Sequence, residues 1–277
     1  MENEYIYLNA LKDVLENGTK RNINYPTISK FSLKLDFNIK NNFPLITTKK
    51  VYWKGVLYEL LWFIKGYTDS KILERDNINI WKDNSSRECL DHLKLHNYEE
   101  GDCGPIYGFQ WRHFGTVYKG CNYNYNGLGI DQLNNCINLI KNNPTSKRIL
   151  MTSWNPVQLN DMCIQPSNLS YQFYLSDINE LSCILYQRCV DMYLGLPFNI
   201  ASVSLLVYLL AHITNNKPGH VSIIIGEGYI ENINDVKEQL NRKPNESPTL
   251  SINKKYSNIN DYKYQHFDLH NYNYYST

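Results

Sequence analysis

At 277 residues the chain suits one large domain or two small ones. A hydrophobic content of 43% with 13% aromatics supports a sizeable core and excludes a disordered chain. A formal net charge of +1 gives no general attraction to nucleic acid or to an anionic membrane, so direct DNA binding is not expected and any anion site must be local. Seven scattered cysteines, an odd number with no C-x-x-C pair, argue against a disulfide framework and against zinc. They point to a reducing, cytoplasmic setting. No uninterrupted apolar run of membrane-spanning length is present, and the N-terminus M-E-N-E-Y-I-Y-L lacks the basic start of a signal peptide.

In chain order, residues 4–16 carry apolar side chains at helical spacing, with Gly18 as a stop. Thr27–Phe37 alternates polar and apolar, the pattern of a half-buried strand. Phe43–Lys50 leads into a strongly apolar helix over Trp53–Ile64, which holds Glu59 among apolar neighbours. A buried carboxylate is costly unless partnered or protonated, and the plainest role for Glu59 is to cap a neighbouring group. Residues 85–100 read as a polar, irregular loop, and Ile130–Lys141 as an amphipathic helix ending near Asn143-Pro144. Lys147 and Arg148 in isolation read as a solvated basic pair at a turn. Ile184–Tyr186 reads as a strand end, a Gly-Leu-Pro turn follows at 195–197, and Ile200–Ile213 as a buried helix. Residues 221–226 and 247–252 read as buried strands, and the absence of an internal repeat or linker predicts one domain over 1–277.

The stretch Gln187–Ser202 puts an arginine, a carboxylate and a carboxamide within twelve residues. Arg188 can grip a phosphate with a planar fork of donors. Asn199, with one acceptor and two donors, can match the paired O and N–H of a pyrimidine edge, and Asp191 can accept from a ring N–H. By spacing alone, an ordinary strand-loop-helix with surface charges is an equal reading. The pattern Q-R-x-x-D-x-x-L-G-x-P-F-N-I-A-S, however, resembles the signature of the thymidylate synthase family, which includes the pyrimidine nucleotide hydroxymethylases. The resemblance implies an α/β fold, a large twisted mixed sheet flanked by helices, and a homodimer. It also implies a dUMP-like pyrimidine nucleoside monophosphate as ligand and 5,10-methylenetetrahydrofolate as one-carbon donor, with no metal. Under it, Arg188 and Gln187 belong to the nucleotide site, Asn199 reads the uracil edge, and Asp191 and Gly195 meet the pterin. Y-E-L-L-W-F (58–63) brings Glu59 to a water network near pyrimidine O4, and D-N-I-N-I-W (76–81) brings Ile80 and Trp81 to the folate wall. G-D-C-G-P-I-Y-G-F-Q-W-R (101–112) supplies Tyr107 for removal of the C5 proton. P-T-S-K-R-I-L-M-T-S-W-N-P (144–156) lends Lys147 and Arg148 to a partner's phosphate site, and Arg21 serves the first phosphate loop.

The departures concern the chemistry. The family's P-C-H, three residues before Q-F-Y, here reads P-S-N, so Ser167 stands at the nucleophile position and Asn168 at the histidine position. A cysteine thiol ionises near pKa ~8.5 and an alcohol of water-like pKa near ~15.7, a gap of roughly 10 kcal/mol. A serine closes that gap only with a positioned base, which Asn168 cannot be. Cys163 lies four residues upstream and Cys189 at the phosphate end, and neither substitutes. The ribose clasp G-D-x-H-x-Y is replaced by G-E-G-Y-I-E, with Tyr229 at the histidine position and Glu231 replacing the tyrosine, a change that predicts blurred discrimination between ribose and deoxyribose. A second tryptophan is replaced by Asn84, the first phosphate loop is shortened to K-R-N-I-N-Y-P-T, and the closing tail is cut short at N-Y-N-Y-Y-S-T. These losses predict a homologue that keeps a pyrimidine nucleotide cleft and is inactive or severely impaired in C5 methyl transfer. The alternatives are an active synthase or hydroxymethylase working by unusual chemistry, and a nucleotide hydrolase using Glu59 or Asp191 with water.

Overall fold

The computed structural model describes residues 2–22 and 26–276. The chain opens with α1 (Glu2–Asn17), whose buried Tyr7, Leu8, Leu11 and Val14 recur at helical spacing, and Gly18 N–H closes it on Val14 O at 2.9 Å. The hairpin β1 (Thr19–Asn22) and β2 (Pro26–Asn38) follows, then α2 (Trp53–Ile64), α3 (Lys71–Glu74), α4 (Arg87–His92), α5 (Tyr107–His113) and α6 (Gln132–Asn142). After β3 (Leu150–Thr152), β4 (Asn168–Leu175) and β5 (Glu180–Asp191) come α7 (Gly195–Ile213), β6 (Lys217–Ile230) and α8 (Ile233–Leu240), and finally β7 (Thr249–Ile252) and β8 (Phe267–His270).

Six strands form one mixed sheet in the order β1-β2-β6-β5-β4-β3, antiparallel throughout except for the parallel pair β5–β6. Parallel neighbours need a long crossover, and α7 supplies it. The strands alternate: Leu181, Cys183 and Leu185 of β5 and Val221, Ile223 and Ile225 of β6 are buried, whereas Ile184 and Tyr186 are exposed on the opposite face. Helices α7 and α2 cover the inner face, with Leu205, Leu206, Leu209, Leu57 and Leu60 wholly buried. Each such side chain contributes about 1.5–3 kcal/mol of hydrophobic stabilisation. Gly108 of α5 lies so close to α2 that a Cβ there would meet Phe63 O at 2.8 Å. Among the described residues α7 is the one helix long and apolar enough to cross a membrane (mean hydropathy 1.8), but 72% of that window is buried inside the fold, so it is a core helix.

Two polar clamps hold the ends of the chain. Glu4 is buried and accepts from Thr47 N, Thr48 N and Thr47 Oγ1 at 2.7–2.9 Å, pinning α1 to the 47–48 segment. Along the same segment, Tyr272 Oη donates to Ile46 O at 2.9 Å and accepts from Val51 N at 2.8 Å, and Tyr275 N donates to Thr47 O at 2.9 Å.

Several expectations are revised. β5 does not end at Tyr186 but runs to Asp191, so Arg188 and Asp191 sit on a strand rather than in a loop. The Gly-Leu-Pro segment is the first turn of α7, where the missing N–H of Pro197 has no helical acceptor to serve. Residues 85–100 include α4, capped where Cys89 N–H donates to Ser86 Oγ at 3.2 Å. Thr249–Ile252 is half-buried and pairs with β8 in a separate two-stranded sheet.

Candidate nucleotide cleft

A cleft of about 820 Å³ opens where β5 passes into α7, within the usual size of small-molecule sites. Its walls come from α2 (Glu59), the Ile80–Trp81 turn, α5 (Tyr107), the 164–168 loop, the β5–β6 strand ends and the first turns of α7. It contains Ser167, Asn168, Arg188, Asp191, Gly195, Asn199, Tyr229, Ile80 and Trp81, all anticipated, and also Phe63, Ile164, Tyr171, Leu194, Phe198 and Ser202, which were not. Of these, Phe198 lies inside the P-F-N signature, so its apolar position beside Asn199 was the signal for it; Tyr171 carried none.

The turn from β5 into α7 is built by Asp191. Its Oδ1 accepts from Tyr193 N and Leu194 N, both at 2.7 Å, and so caps a helix whose own N-cap, Leu194, offers no side-chain bond. That leaves Oδ2 without a protein partner among the described contacts. Leu194 is 58% exposed and Ile164 is 43% exposed although both line the cleft, an apolar mouth suited to a flat ring.

Glu59 answers the cost of its burial with a partner: Trp81 Nε1 donates to Glu59 Oε1 at 2.7 Å. Desolvation pushes the Glu59 carboxyl up to about 7, with the indole N–H pulling it back down. Opposite, the phenol of Tyr107 accepts from Ser167 N at 2.9 Å and lies 3.4 Å from Ser167 Oγ. Burial raises the Tyr107 pKa, so the phenol stays protonated near neutrality. Among the described residues no imidazole, carboxylate or amine bonds Ser167 Oγ. The Asn168 carboxamide is engaged as well, accepting from Gln187 Nε2 at 2.7 Å.

Arg188 points at the loop as much as at the cleft. Its Nε donates to Pro166 O at 2.9 Å, its second guanidinium nitrogen to Gln165 O at 3.2 Å, and its backbone N–H to Ser167 O at 2.8 Å. β6 approaches β5 closely here, since a Cβ on Gly226 would meet Arg188 O at 2.5 Å. Among the described residues Arg188 is the only lysine, arginine or histidine lining the cleft.

Four residues anticipated for the nucleotide site do not line it. Gln187 is fully buried behind the wall, because alternation along β5 turns it inward, and it positions Asn168 instead. Arg21 is drawn to Glu227, N···O 3.4 Å, and the rest of its loop, 23–25, lies outside the described residues. Lys147 and Arg148 are exposed on the turn after α6, outside the cleft, and were expected to serve a partner's phosphate site rather than this one. Among the described residues no group of three or more His, Cys, Asp or Glu is placed to hold a metal ion.

The sequence profile described as thymidylate synthase matches residues 5–277. The chain belongs to the thymidylate synthase family. It is 45% identical to the thymidylate synthase of Herpesvirus ateles over 274 residues, 98% of this chain and 94% of that protein. Its identity to the thymidylate synthase of Homo sapiens is also 45% over 274 residues, 98% of this chain and 87% of that one. A bifunctional dihydrofolate reductase-thymidylate synthase of Glycine max is 46% identical over 270 residues, 96% of this chain, which spans 51% of that relative's length. The mixed six-stranded sheet flanked by helices is consistent with the family's fold.

Proposed function

We propose that the chain binds a pyrimidine nucleoside monophosphate in this cleft and is severely impaired in folate-dependent transfer to pyrimidine C5. The observation that carries this is the combination of an ordered recognition wall (Arg188, Asp191, Asn199) with Ser167, whose hydroxyl has only a protonated phenol 3.4 Å away. Asn199 on the first turns of α7 reads the base edge, and Arg188 at the end of β5 meets the phosphate. The polar and apolar lining also fits methylenetetrahydrofolate: Ile80, Trp81, Leu194 and Phe198 would pack against the pterin, and Asp191 Oδ2 is free to accept from its N–H groups. When bound, that group supplies the one-carbon unit. Glu59, near neutral pKa and hydrogen-bonded, can hold or release a proton close to the base's oxygen.

The lack of an activated nucleophile limits the chain. Tyr107 uses its oxygen to accept from Ser167 N, and its raised pKa leaves little phenolate to take the serine proton. Asn168 has no basic lone pair to offer. Adding Ser167 to C6 thus retains most of the roughly 10 kcal/mol ionisation deficit of an alcohol relative to a thiol.

A single cation is a poor phosphate site, so the proposal includes a homodimer in which Lys147 and Arg148 of one subunit complete the other's cleft. Exposed Tyr174, Ile184 and Tyr186 on the outer face of the sheet support face-to-face packing of two sheets. Two charge-assisted arginine contacts at about 1.5–3 kcal/mol each support micromolar to millimolar affinity. Titration calorimetry with dUMP, UMP and inorganic phosphate tests the binding. A monomeric mass by light scattering at micromolar concentration would contradict the dimer.

A further inference from the structure

We infer that Glu231 makes this cleft select a ribonucleotide over a deoxyribonucleotide, an inference that rests on the nucleotide reading above. A nucleoside monophosphate has a fixed order of phosphate, sugar and base. With phosphate at Arg188 and base at Asn199, the sugar lies over the wall between them. The end of β6 belongs to the lining of the same cleft, and Tyr229 pairs there in register with Asp191 of β5. The Tyr229 phenol lies within electrostatic reach of Arg188, Asp191, Cys189 and Glu231 together, which places Tyr229 and Glu231 near the arginine that would hold the phosphate. With a pKa of about 12, raised mainly by burial, it remains a neutral donor and acceptor.

Glu231 is the next cleft-lining residue along this strand end. It is exposed, and its side chain has no hydrogen bond or ion pair among the described contacts; only its backbone carbonyl is used, accepting from Ile233 N at 3.1 Å. A carboxylate is acceptor-only, so it is a poor neighbour for phosphate or a carbonyl edge and a good one for hydroxyl groups. Its two oxygens match two adjacent hydroxyls on the same ring face, and O–H···O⁻ bonds are among the stronger hydrogen bonds. Ribose presents that cis-diol, whereas deoxyribose presents one hydroxyl. The blurred discrimination expected from the altered clasp becomes, with a carboxylate at this position, a preference for ribose. A merely solvated glutamate predicts no preference, and the two readings separate on one measurement.

Calorimetric titration of UMP, dUMP and the arabino epimer of UMP, whose 2′-hydroxyl lies on the other ring face, would be run on the wild-type protein and on Glu231→Gln. The expected result is UMP tighter than dUMP by about tenfold or more, with the arabino epimer resembling dUMP, since one charge-assisted bond is at stake. In Glu231→Gln both nucleotides should bind more weakly, UMP by more than dUMP, so that the preference falls to within about twofold. UMP and dUMP within twofold of each other on the wild type, or a preference that survives in Glu231→Gln, overturns the role of Glu231 and leaves the nucleotide reading standing. If no nucleotide binds to protein shown folded by circular dichroism, the nucleotide reading fails and this inference with it.

Discussion

The β5–α7 junction and the 163–168 loop line the same cleft but are specified in different ways. At the junction, function and architecture share side chains: the Asp191 carboxylate that would meet a pterin also caps α7. In the loop, the path of the chain is held by backbone groups. Arg188 grips the carbonyls of Gln165 and Pro166, Tyr107 takes the Ser167 N–H, and Cys163 N donates to Cys103 O at 3.0 Å. None of these bonds uses the side chain of residue 167. A nucleophile can therefore be exchanged without disturbing the loop that carries it, whereas the recognition wall cannot be altered so freely.

The largest effect should come from restoring the chemistry to that loop. Ser167→Cys combined with Asn168→His should raise folate-dependent tritium release from C5-labelled dUMP by on the order of 10³-fold, a fraction of the ionisation gap. Wild-type release already at the double variant's level would show that the serine is competent. Next comes the residue shared by both regions. Arg188→Ala should weaken dUMP binding by at least about tenfold and lower stability by about 2 kcal/mol, because two loop carbonyls lose a charged donor. Unchanged dUMP affinity in calorimetry would mean that the cleft is not a nucleotide site.

Glu59 gives a pH-dependent contrast. Its folded pKa of about 7 lies above the ordinary 4.5, so its contribution is fully present below about 4.5 and is lost as pH rises through about 7. Relative to Glu59→Gln, the wild type should lose stability on the order of 2–3 kcal/mol across that window in urea titrations. Parallel pH profiles for the two proteins would contradict the assignment. The smallest effect should be Ser167→Ala, within about 0.5 kcal/mol of wild type by denaturant melts, since the loop is held by its backbone.

The helices with clear periodicity are legible in the sequence: the pattern delimits Trp53–Ile64 to the residue, because seven buried apolar side chains dominate it. β5 was read short because Arg188 and Asp191 look like loop residues when charge is taken as exposure, although on a strand their alternation leaves them half-buried. The cleft's recognition wall was legible because one contiguous segment carries it. The position of Arg21 was not, since motif identity does not reveal that Glu227 competes for it. The hold on the loop was equally hidden, because backbone acceptors leave no trace in residue types.

The proposed cleft binds the nucleotide without forming a covalent bond to it. Denaturing mass spectrometry after incubation with saturating 5-fluoro-dUMP and methylenetetrahydrofolate tests it most directly. The intact mass should be unchanged at nucleotide concentrations where calorimetry shows the site filled. A stable adduct mapped to Ser167 would contradict it.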